Sequence, residues 1–308
     1  MTPKSAGTAG RQNKVPVSLL NGLGGLWHNP GMKKFMVSLL AAAAVAGCCM
    51  YNCGEPVKIS VFSGTVQRVA KAKGVSLCES AELLAEAGVT GFDAGYKDKN
   101  LPELVKTCLK PINFYGWPKF LGPDGGAKDS DEFVAMAVKY GVPRIMVVPD
   151  EFSKDGDQEA EYVRIRDGLK KLVAKANAAG ITVTVEDYGG TGNPCSYTKY
   201  LKRFLTDIPE LGFALDSGNL YYAGRGEDIL EMMRFAEGRI RHVHLKDQTK
   251  ENNRKYTTLG TGAVPNEAIV RHMRKTGYNG WYTLENIVGD DILADVRRQV
   301  GVVRSWCK

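Results

Sequence analysis

The stretch RIRHVHLKD, residues 239–247, decides the fold that the sequence predicts. Apolar and polar residues alternate along it, and a period of two is typical of a β-strand. His242 and His244 therefore point to the same side of a short strand, with His244 nearer the C-terminal end. That position makes the imidazole of His244 available to a site at the end of the strand.

Three other apolar runs end in an acid: ITVTVE at Glu186, GFALD at Asp216 and WYTLE at Glu285. If the strands are parallel, their carboxyl ends meet on one face, and one imidazole with three carboxylates suits a divalent metal ion. The pattern predicts Glu186, Asp216, His244 and Glu285 as ligands of one shared ion, with His242 as the alternative to His244. For each acid taken alone, a helix N-cap or a surface ion pair is an equally good interpretation.

The same alternation continues along the chain from Val57, where apolar runs are separated by segments with helical periodicity. Strands separated by helices must be parallel, and a parallel sheet needs both faces covered. We therefore predict an α/β protein with one closed (β/α)8 TIM barrel, whose site lies at the C-terminal strand ends. The eight predicted strands are residues 57–62, 89–95, 111–116, 143–148, 181–186, 212–216, 239–245 and 280–285.

A doubly wound open sheet is the alternative fold, but no G-x-G-x-x-G motif follows the first strand. Two long polar loops, residues 117–128 and 246–264, follow predicted strands. Loops in such places commonly shape substrate sites.

The formal charge of +7 is concentrated at the N-terminus. No acid precedes Glu55, and the basic residues before it leave only +2 for the rest of the chain; they are Lys4, Arg11, Lys14, Lys33 and Lys34. The globular part therefore lacks the basic footprint of a nucleic-acid-binding protein, and we expect no nucleic-acid partner.

The N-terminal segment has the pattern of an export signal. Residues 32–48 read MKKFMVSLLAAAAVAGC, with two lysines, a short apolar run and a cysteine in a lipobox-like context. We predict a lipoprotein-type signal peptide over 32–48, a linker over 49–56 and a catalytic domain over 57–308. Residues 1–31 are interpreted as a disordered extension or a mis-assigned start. A buried Ala-rich helix is the alternative for the apolar run.

Lipidation at Cys48 would anchor the protein to a bacterial membrane. Through that anchor alone we expect membrane association, on the periplasmic side, with the cell surface as the alternative. The sequence leaves a homo-oligomer open.

From about Val57 onward the chain resembles the sugar phosphate isomerase/epimerase family, the xylose isomerase-like barrels that also include endonuclease IV. The motifs that carry the resemblance are VEDYG around Glu186, LDSGN at 215–219, HVHLKD at 242–247, LGTGAV at 259–264 and YTLEN at 282–286. The resemblance implies one divalent ion held by the four residues above. Mn²⁺ is expected first, with Mg²⁺, Co²⁺ and Zn²⁺ as alternatives.

The resemblance also implies substrate contacts from Lys246 and Asn219, and we place His242 in the same group. For Lys246, an ion pair with Asp247 or Glu285 is the alternative. Trp117 and Tyr188, with Tyr115, are expected to form an apolar floor for a sugar ring. Glu186 and Glu285 are expected to act as catalytic base and acid.

These expectations favour a sugar isomerase or epimerase that removes a proton next to a carbonyl through an enediolate stabilised by the ion. A lyase or hydratase acting on 3-keto-glycosides is the first alternative, and a non-catalytic sugar-binding lipoprotein is the second. An endonuclease IV-type activity is disfavoured because it needs a histidine-rich three-zinc cluster, and the chain has four histidines.

Overall fold

A computed structural model describes residues 56–308, and residues 57–308 form one compact unit. Eight strands close into a parallel barrel in the order β1-β10-β7-β6-β5-β4-β3-β2. The predicted (β/α)8 barrel is thus confirmed, with small shifts at strand ends. The barrel strands are β1 Lys58–Phe62, β2 Gly91–Gly95, β3 Lys110–Gly116, β4 Arg144–Val147, β5 Thr182–Glu186, β6 Gly212–Asp216, β7 Ile240–Leu245 and β10 Trp281–Leu284.

Helices cover the outside of the barrel and bury the apolar face that each turns toward the strands. In chain order they are α1 Ser63–Lys73, α2 Leu77–Glu86, α3 Leu101–Leu104, α4 Ala127–Lys139, α5 Gln158–Ala178, α6 Thr198–Asp207, α7 Asn219–Tyr222, α8 Asp228–Phe235, α9 Asn266–Lys275 and α10 Ile292–Trp306. A 3₁₀ turn, Pro194–Ser196, precedes α6.

Local sequence signals set where several helices begin and end. Helix α1 ends at Gly74, whose φ of 66° is a left-handed conformation that glycine adopts without steric strain. Helix α2 begins at a capping box, in which the Ser76 side chain accepts from the Glu79 amide and the Glu79 side chain accepts from the Ser76 amide. Helix α10 begins at Asp291, whose carboxylate accepts from the amides of Leu293 and Ala294.

Strand register brings the ends of β6, β7 and β10 to one level. Asp216 pairs with His244 across β6 and β7, and Thr283 pairs with His244 across β10 and β7. The amide of Glu285 then donates to the carbonyl of Leu245 at 3.0 Å. The register of β6 and β7 shifts between Phe213 and Ala214, and the pairings beyond that shift fix the height at which each of the side chains leaves the barrel.

The interior of the barrel contains a fully buried polar layer below the strand ends. Hydrogen bonds between side chains of β1, β2, β3, β7 and β10 hold this layer together. Its members are Ser60, Asp93, Asn113, His242 and Thr283.

The loop 246–264, predicted as irregular, contains a two-stranded antiparallel hairpin of β8 Asp247–Gln248 and β9 Tyr256–Thr257. The Asp247 carboxylate holds the rest of the loop, because it accepts from the amides of Gly260, Gly262 and Val264 at 2.9 to 3.1 Å. The two glycines of the LGTGAV motif therefore wrap a carboxylate of the chain itself.

The predicted extension, signal segment and linker up to residue 55 lie outside the described residues. Within residues 56–308 no helix combines the length and the apolar character needed to cross a bilayer.

Candidate metal centre

The structure brings the four predicted ligands together at the C-terminal end of the barrel. One ligand atom each from Glu186, Asp216, His244 and Glu285 lies within 4.8 Å of the others. The first three side chains are buried, and that of Glu285 is 26 % exposed. The arrangement is therefore open on the side of Glu285 and closed elsewhere.

The nitrogen that His244 turns toward this cluster is Nδ1. It lies 2.7 Å from Oε1 of Glu186 and 3.8 Å from both Oδ2 of Asp216 and Oε2 of Glu285. Oε2 of Glu285 is buried and has no hydrogen-bond partner within the described residues, whereas Oδ2 of Asp216 has the Lys246 ammonium 3.0 Å away. A buried carboxylate oxygen without a donor is costly, so Oε2 of Glu285 fits a bound cation.

The close approach of the carboxylates also favours a bound cation. Burial raises the pKa of Asp216 well above its usual range, and the neighbouring carboxylate of Glu285 adds to the rise. Two carboxylates this close repel each other when both are ionised, and a divalent ion between them would offset that repulsion.

Lys246 supplies the cation nearest to these carboxylates. Its ammonium lies 2.6 Å from Glu285 and 3.0 Å from Asp216, and only 4 % of its side chain is exposed. Burial opposes ionisation of Glu285, but the Lys246 charge prevails and lowers the pKa of Glu285 to about 2. The ion pair with Glu285 is thus present, whereas Asp247 binds loop amides instead.

Asn219 joins the same group from the start of α7. Its side-chain oxygen accepts from the Lys246 ammonium at 3.1 Å, and its amide nitrogen donates to the carbonyl of Asp187 at 2.7 Å. Lys246 and Asn219, for which the resemblance implies substrate contacts, therefore lie beside the candidate ligands.

His242 lies below the centre, in the polar layer of the barrel, and is fully buried. Its Nε2 is 2.7 Å from Asp93, and its Nδ1 is 3.2 Å from the guanidinium of Arg144. Burial lowers its pKa to about 4, so the ring is neutral at pH 7. Since both nitrogens are engaged by protein groups, His242 has none free for a substrate or for the ion held by the other four residues.

The predicted aromatic floor is present in part. Trp117 is 51 % exposed, and its ring contacts that of Tyr115 edge-on, with 5.6 Å between the ring centroids. Tyr115 in turn contacts Phe62 edge-on. The Phe62 ring centroid lies 5.0 Å from that of His244. These rings form an aromatic wall, Phe62–Tyr115–Trp117, that leads from His244 to the surface. Tyr188 is half-buried and packs against the core apart from this wall.

Sequence reasoning missed several residues at the site. Phe62 and Asp93 stand in the predicted first and second strands, and an acid inside the apolar run VTGFDAG was the available signal for Asp93. Tyr256 comes from the unpredicted hairpin and stacks on Tyr222 with ring centroids 6.4 Å apart. The strand that contains Tyr256 has two residues, which is too short for an alternating pattern to appear in the sequence.

The barrel matches a known protein family over most of its length. A family model described as xylose isomerase-like TIM barrel matches residues 68–305. The chain belongs to this family. Members of the xylose isomerase-like TIM barrel family share the closed parallel barrel described above, and the resemblance drawn from the motifs is confirmed.

Individual relatives of the family show its range. Inosose dehydratase 2 of Bacillus cereus is 26 % identical over 252 residues, which cover 76 % of this chain and 80 % of that protein. The structure of 3-keto-D-glucoside 4-epimerase, YcjR, from E. coli has a TM-score of 0.64 and 17 % identity, covering 81 % of this chain and all of that one. These relatives are enzymes whose names refer to small sugar-like substrates.

A third relative carries a metal. The IOLI protein, whose structure has a bound zinc atom, aligns with a TM-score of 0.64 and 16 % identity over 81 % of this chain and 96 % of that one. In this chain, the clustered ligand atoms of Glu186, Asp216, His244 and Glu285 could hold a divalent metal ion.

Proposed function

We propose that this protein is a metal-dependent epimerase or isomerase of a small keto sugar, and that it works by removing a proton next to a carbonyl. The observation that carries the proposal is the convergence of three carboxylates and one imidazole nitrogen within 4.8 Å at the barrel mouth. Glu186, Asp216, His244 and Glu285 would hold the ion. Bound there, it would supply the positive charge that stabilises the negative charge developing on a substrate oxygen.

The residues of the chain would move the proton. Glu285 suits the role of base, because Lys246 keeps its carboxylate ionised and part of the side chain faces solvent. Glu186 stands on β5, separated from β10 by β6 and β7, so the two glutamates flank the centre from opposite sides. Removing the proton on one face and returning it on the other gives epimerisation; returning it to the neighbouring carbon gives aldose-ketose isomerisation.

The substrate class follows from the surroundings of the centre. Lys246 and Asn219 offer polar groups to hydroxyl or carbonyl oxygens, and the aromatic wall offers an apolar face for the carbons of a sugar ring. The names of the relatives support a sugar or a related polyol ketone.

Dehydration is the second candidate, and the 26 % identical inosose dehydratase favours it. Here Glu285 would remove the proton next to the carbonyl, and a hydroxyl would leave from the next carbon with a proton, as water. The Lys246 ammonium could donate that proton, because it lies 2.6 Å from Glu285 and stays protonated: burial lowers its pKa, but the neighbouring carboxylates raise it by more. Glu285 would then return a proton to Lys246.

Incubation of the Mn²⁺-loaded protein with a panel of keto sugars and inososes in deuterium oxide tests both candidates. Deuterium at a carbon of the recovered sugar, with its configuration retained or inverted, supports the epimerase. Loss of one water molecule per substrate molecule supports the dehydratase. Glu285→Gln, with unchanged circular dichroism, should lower either activity by about a hundred- to ten-thousandfold. Failure of the wild-type protein to exchange or dehydrate any substrate would count against both.

A further inference from the structure

Asp93, on β2, is the hub of the polar layer inside the barrel. Its Oδ2 lies 2.7 Å from Nε2 of His242, 3.2 Å from Nε2 of His244 and 2.8 Å from the side-chain Nδ2 of Asn113. Its Oδ1 accepts from the hydroxyl of Thr283 at 3.1 Å. Asp93 is fully buried, so these bonds replace the water that the carboxylate loses on folding.

His244 spans the distance between this hub and the candidate metal centre. Its Nε2 faces Asp93, while its Nδ1 faces the carboxylates of Glu186, Asp216 and Glu285. A neutral imidazole has one N–H and one lone pair, and the bond made by one nitrogen decides which form is present. Glu186 lies 2.7 Å from Nδ1 and Asp93 lies 3.2 Å from Nε2. With an ion held by Glu186, Asp216 and Glu285, the Asp93 carboxylate would keep the proton on Nε2 and leave the Nδ1 lone pair for the ion.

We propose that Asp93 is a positioning residue that fixes the orientation and tautomer of His244, so that Nδ1 is presented to the divalent ion. The inference rests on the proposed metal function, and concerns how the ligand is held. Partners of this kind typically change metal affinity by about 10- to 100-fold.

The same atoms could instead form a second cation site, because Asp93, His242 and His244 also bring ligand atoms within 4.8 Å of one another. The surroundings oppose that interpretation. The guanidinium of Arg144 lies 3.2 Å from Nδ1 of His242, where it can only donate. It therefore uses the lone pair of Nδ1 and places the His242 proton on Nε2, which donates to Asp93.

Arg144 also carries a positive charge into this layer. It forms no ion pair within residues 56–308, and its other side lines a cavity of about 320 Å³ at the N-terminal end of the barrel. A cation next to His242 repels a second metal ion. The hydrogen-bonded arrangement is thus the one that the charges favour.

Two variants of the full chain separate positioning from general support of the core. Asp93→Asn keeps the shape but gives His244 a weaker acceptor, and we expect Mn²⁺ to bind about 10- to 100-fold more weakly in an equilibrium titration. His242→Gln removes another donor to the same carboxylate and leaves the His244 contact, so we expect a change below about threefold. Equal weakening in both variants, or wild-type affinity in Asp93→Asn, would overturn the proposal.

A measurement on the wild-type protein covers the case in which Asp93→Asn does not fold. In the Zn²⁺-loaded protein, long-range nitrogen-proton NMR of the four histidines should show one ring bound through Nδ1 with its proton on Nε2. Zinc on Nε2, or two ions per chain, would overturn the proposal.

The outcomes also distinguish this inference from the proposed function. If the wild-type protein binds the ion, Asp93→Asn weakens that binding and no keto sugar is turned over, the result would support the inference and contradict the function. Turnover with an Asp93→Asn variant that binds the ion normally would do the reverse. A wild-type protein that binds no divalent ion would overturn both.

Discussion

The ammonium of Lys246 lies 2.6 Å from the carboxylate of Glu285, across the ends of the neighbouring strands β7 and β10. The contact joins a buried cation to the residue proposed as base, and it does so beside the candidate ligand Asp216, 3.0 Å away. Lys246 would therefore compete with an ion for these carboxylates, and it also lies where it could contact a substrate.

Replacement of Lys246 tests that double role. If the protein is a dehydratase, we expect kcat in Lys246→Met to fall by about a hundred- to ten-thousandfold, because a positioned proton donor is lost. The ion should bind at least as tightly, since the competing ammonium is gone. Steady-state kinetics and a Mn²⁺ titration measure the two effects. Lys250→Met, which replaces an exposed lysine of the same loop, is the matched control. A wild-type kcat in Lys246→Met would show that Lys246 only neutralises the charge of Glu285.

Gly262 is required for the close packing of the loop around Asp247. A Cβ at this position would lie 2.2 Å from Oδ1 of Asp247 and 2.3 Å from the carbonyl oxygen of Gln248. We expect Gly262→Ala to lower the free energy of unfolding by about 1–3 kcal/mol in urea titrations. Gly301→Ala is the control, because its Cβ meets nothing within 4 Å in helix α10. That substitution should raise stability by about 0.5–1 kcal/mol, and similar losses in both variants would contradict the packing argument.

Trp117 tests whether the aromatic wall binds substrate. Its side chain is 51 % exposed, so Trp117→Ala should leave the thermal midpoint nearly unchanged. If a sugar packs on the ring, KM should rise by up to about tenfold, the equivalent of about 0.5–1.5 kcal/mol of aromatic contact, with kcat preserved. Phe235→Ala removes a comparably exposed ring, 45 % exposed, from the outer helix α8. An unchanged KM for Trp117→Ala would assign the wall to packing.

The N-cap of helix α10 gives a pH dependence away from the metal centre. Hydrogen bonds from the amides of Ala294 and Leu293 lower the pKa of Asp291 below its usual range. A depressed folded pKa contributes stability above the unfolded pKa, near about 4, and that contribution is lost as pH falls through the folded value. The wild-type protein should therefore melt above Asp291→Asn at pH 7, and the difference should shrink by pH 3. A difference independent of pH would show that the charge is not what stabilises the cap.

The lipid anchor is a prediction from sequence alone, and we propose Cys48 as its attachment site. Expressed in a bacterium from its own start, the wild-type protein should sediment with membranes and incorporate a labelled fatty acid. Cys48→Ser should abolish both, and Cys49→Ser should not. Retention of the label in Cys48→Ser would show that Cys48 is not the attachment site.

The clustering of residues 186, 216, 244 and 285 could be predicted from sequence because each lies at or next to the end of an apolar run, and the ends of parallel strands come together whatever the details of packing. Asp93 could not be assigned a role in this way. It stands in the middle of β2, and β1 and β10 separate that strand from β7 in the closed barrel. Its contact with His244 exists only through the interior of the barrel, and a linear sequence gives no measure of distances across that space.

The hairpin escaped prediction for a different reason. Strands β8 and β9 have two residues each, too few for a period to appear. What holds them is the side chain of Asp247, which gathers amides from 13 to 17 residues further along the chain. Tyr256 reaches the site only because of that long-range anchor.

The polar layer inside the barrel makes the support of His244 depend on closure of the barrel. Ser60 and Thr283 bond across β1 and β10, and Asp93 bonds to both histidines of β7, so the layer forms only when the first and last strands have met. A partly folded chain would lack the support of its imidazole ligand and would hold an ion poorly. The cellular compartment in which the barrel closes would then decide which of the available metals the enzyme acquires.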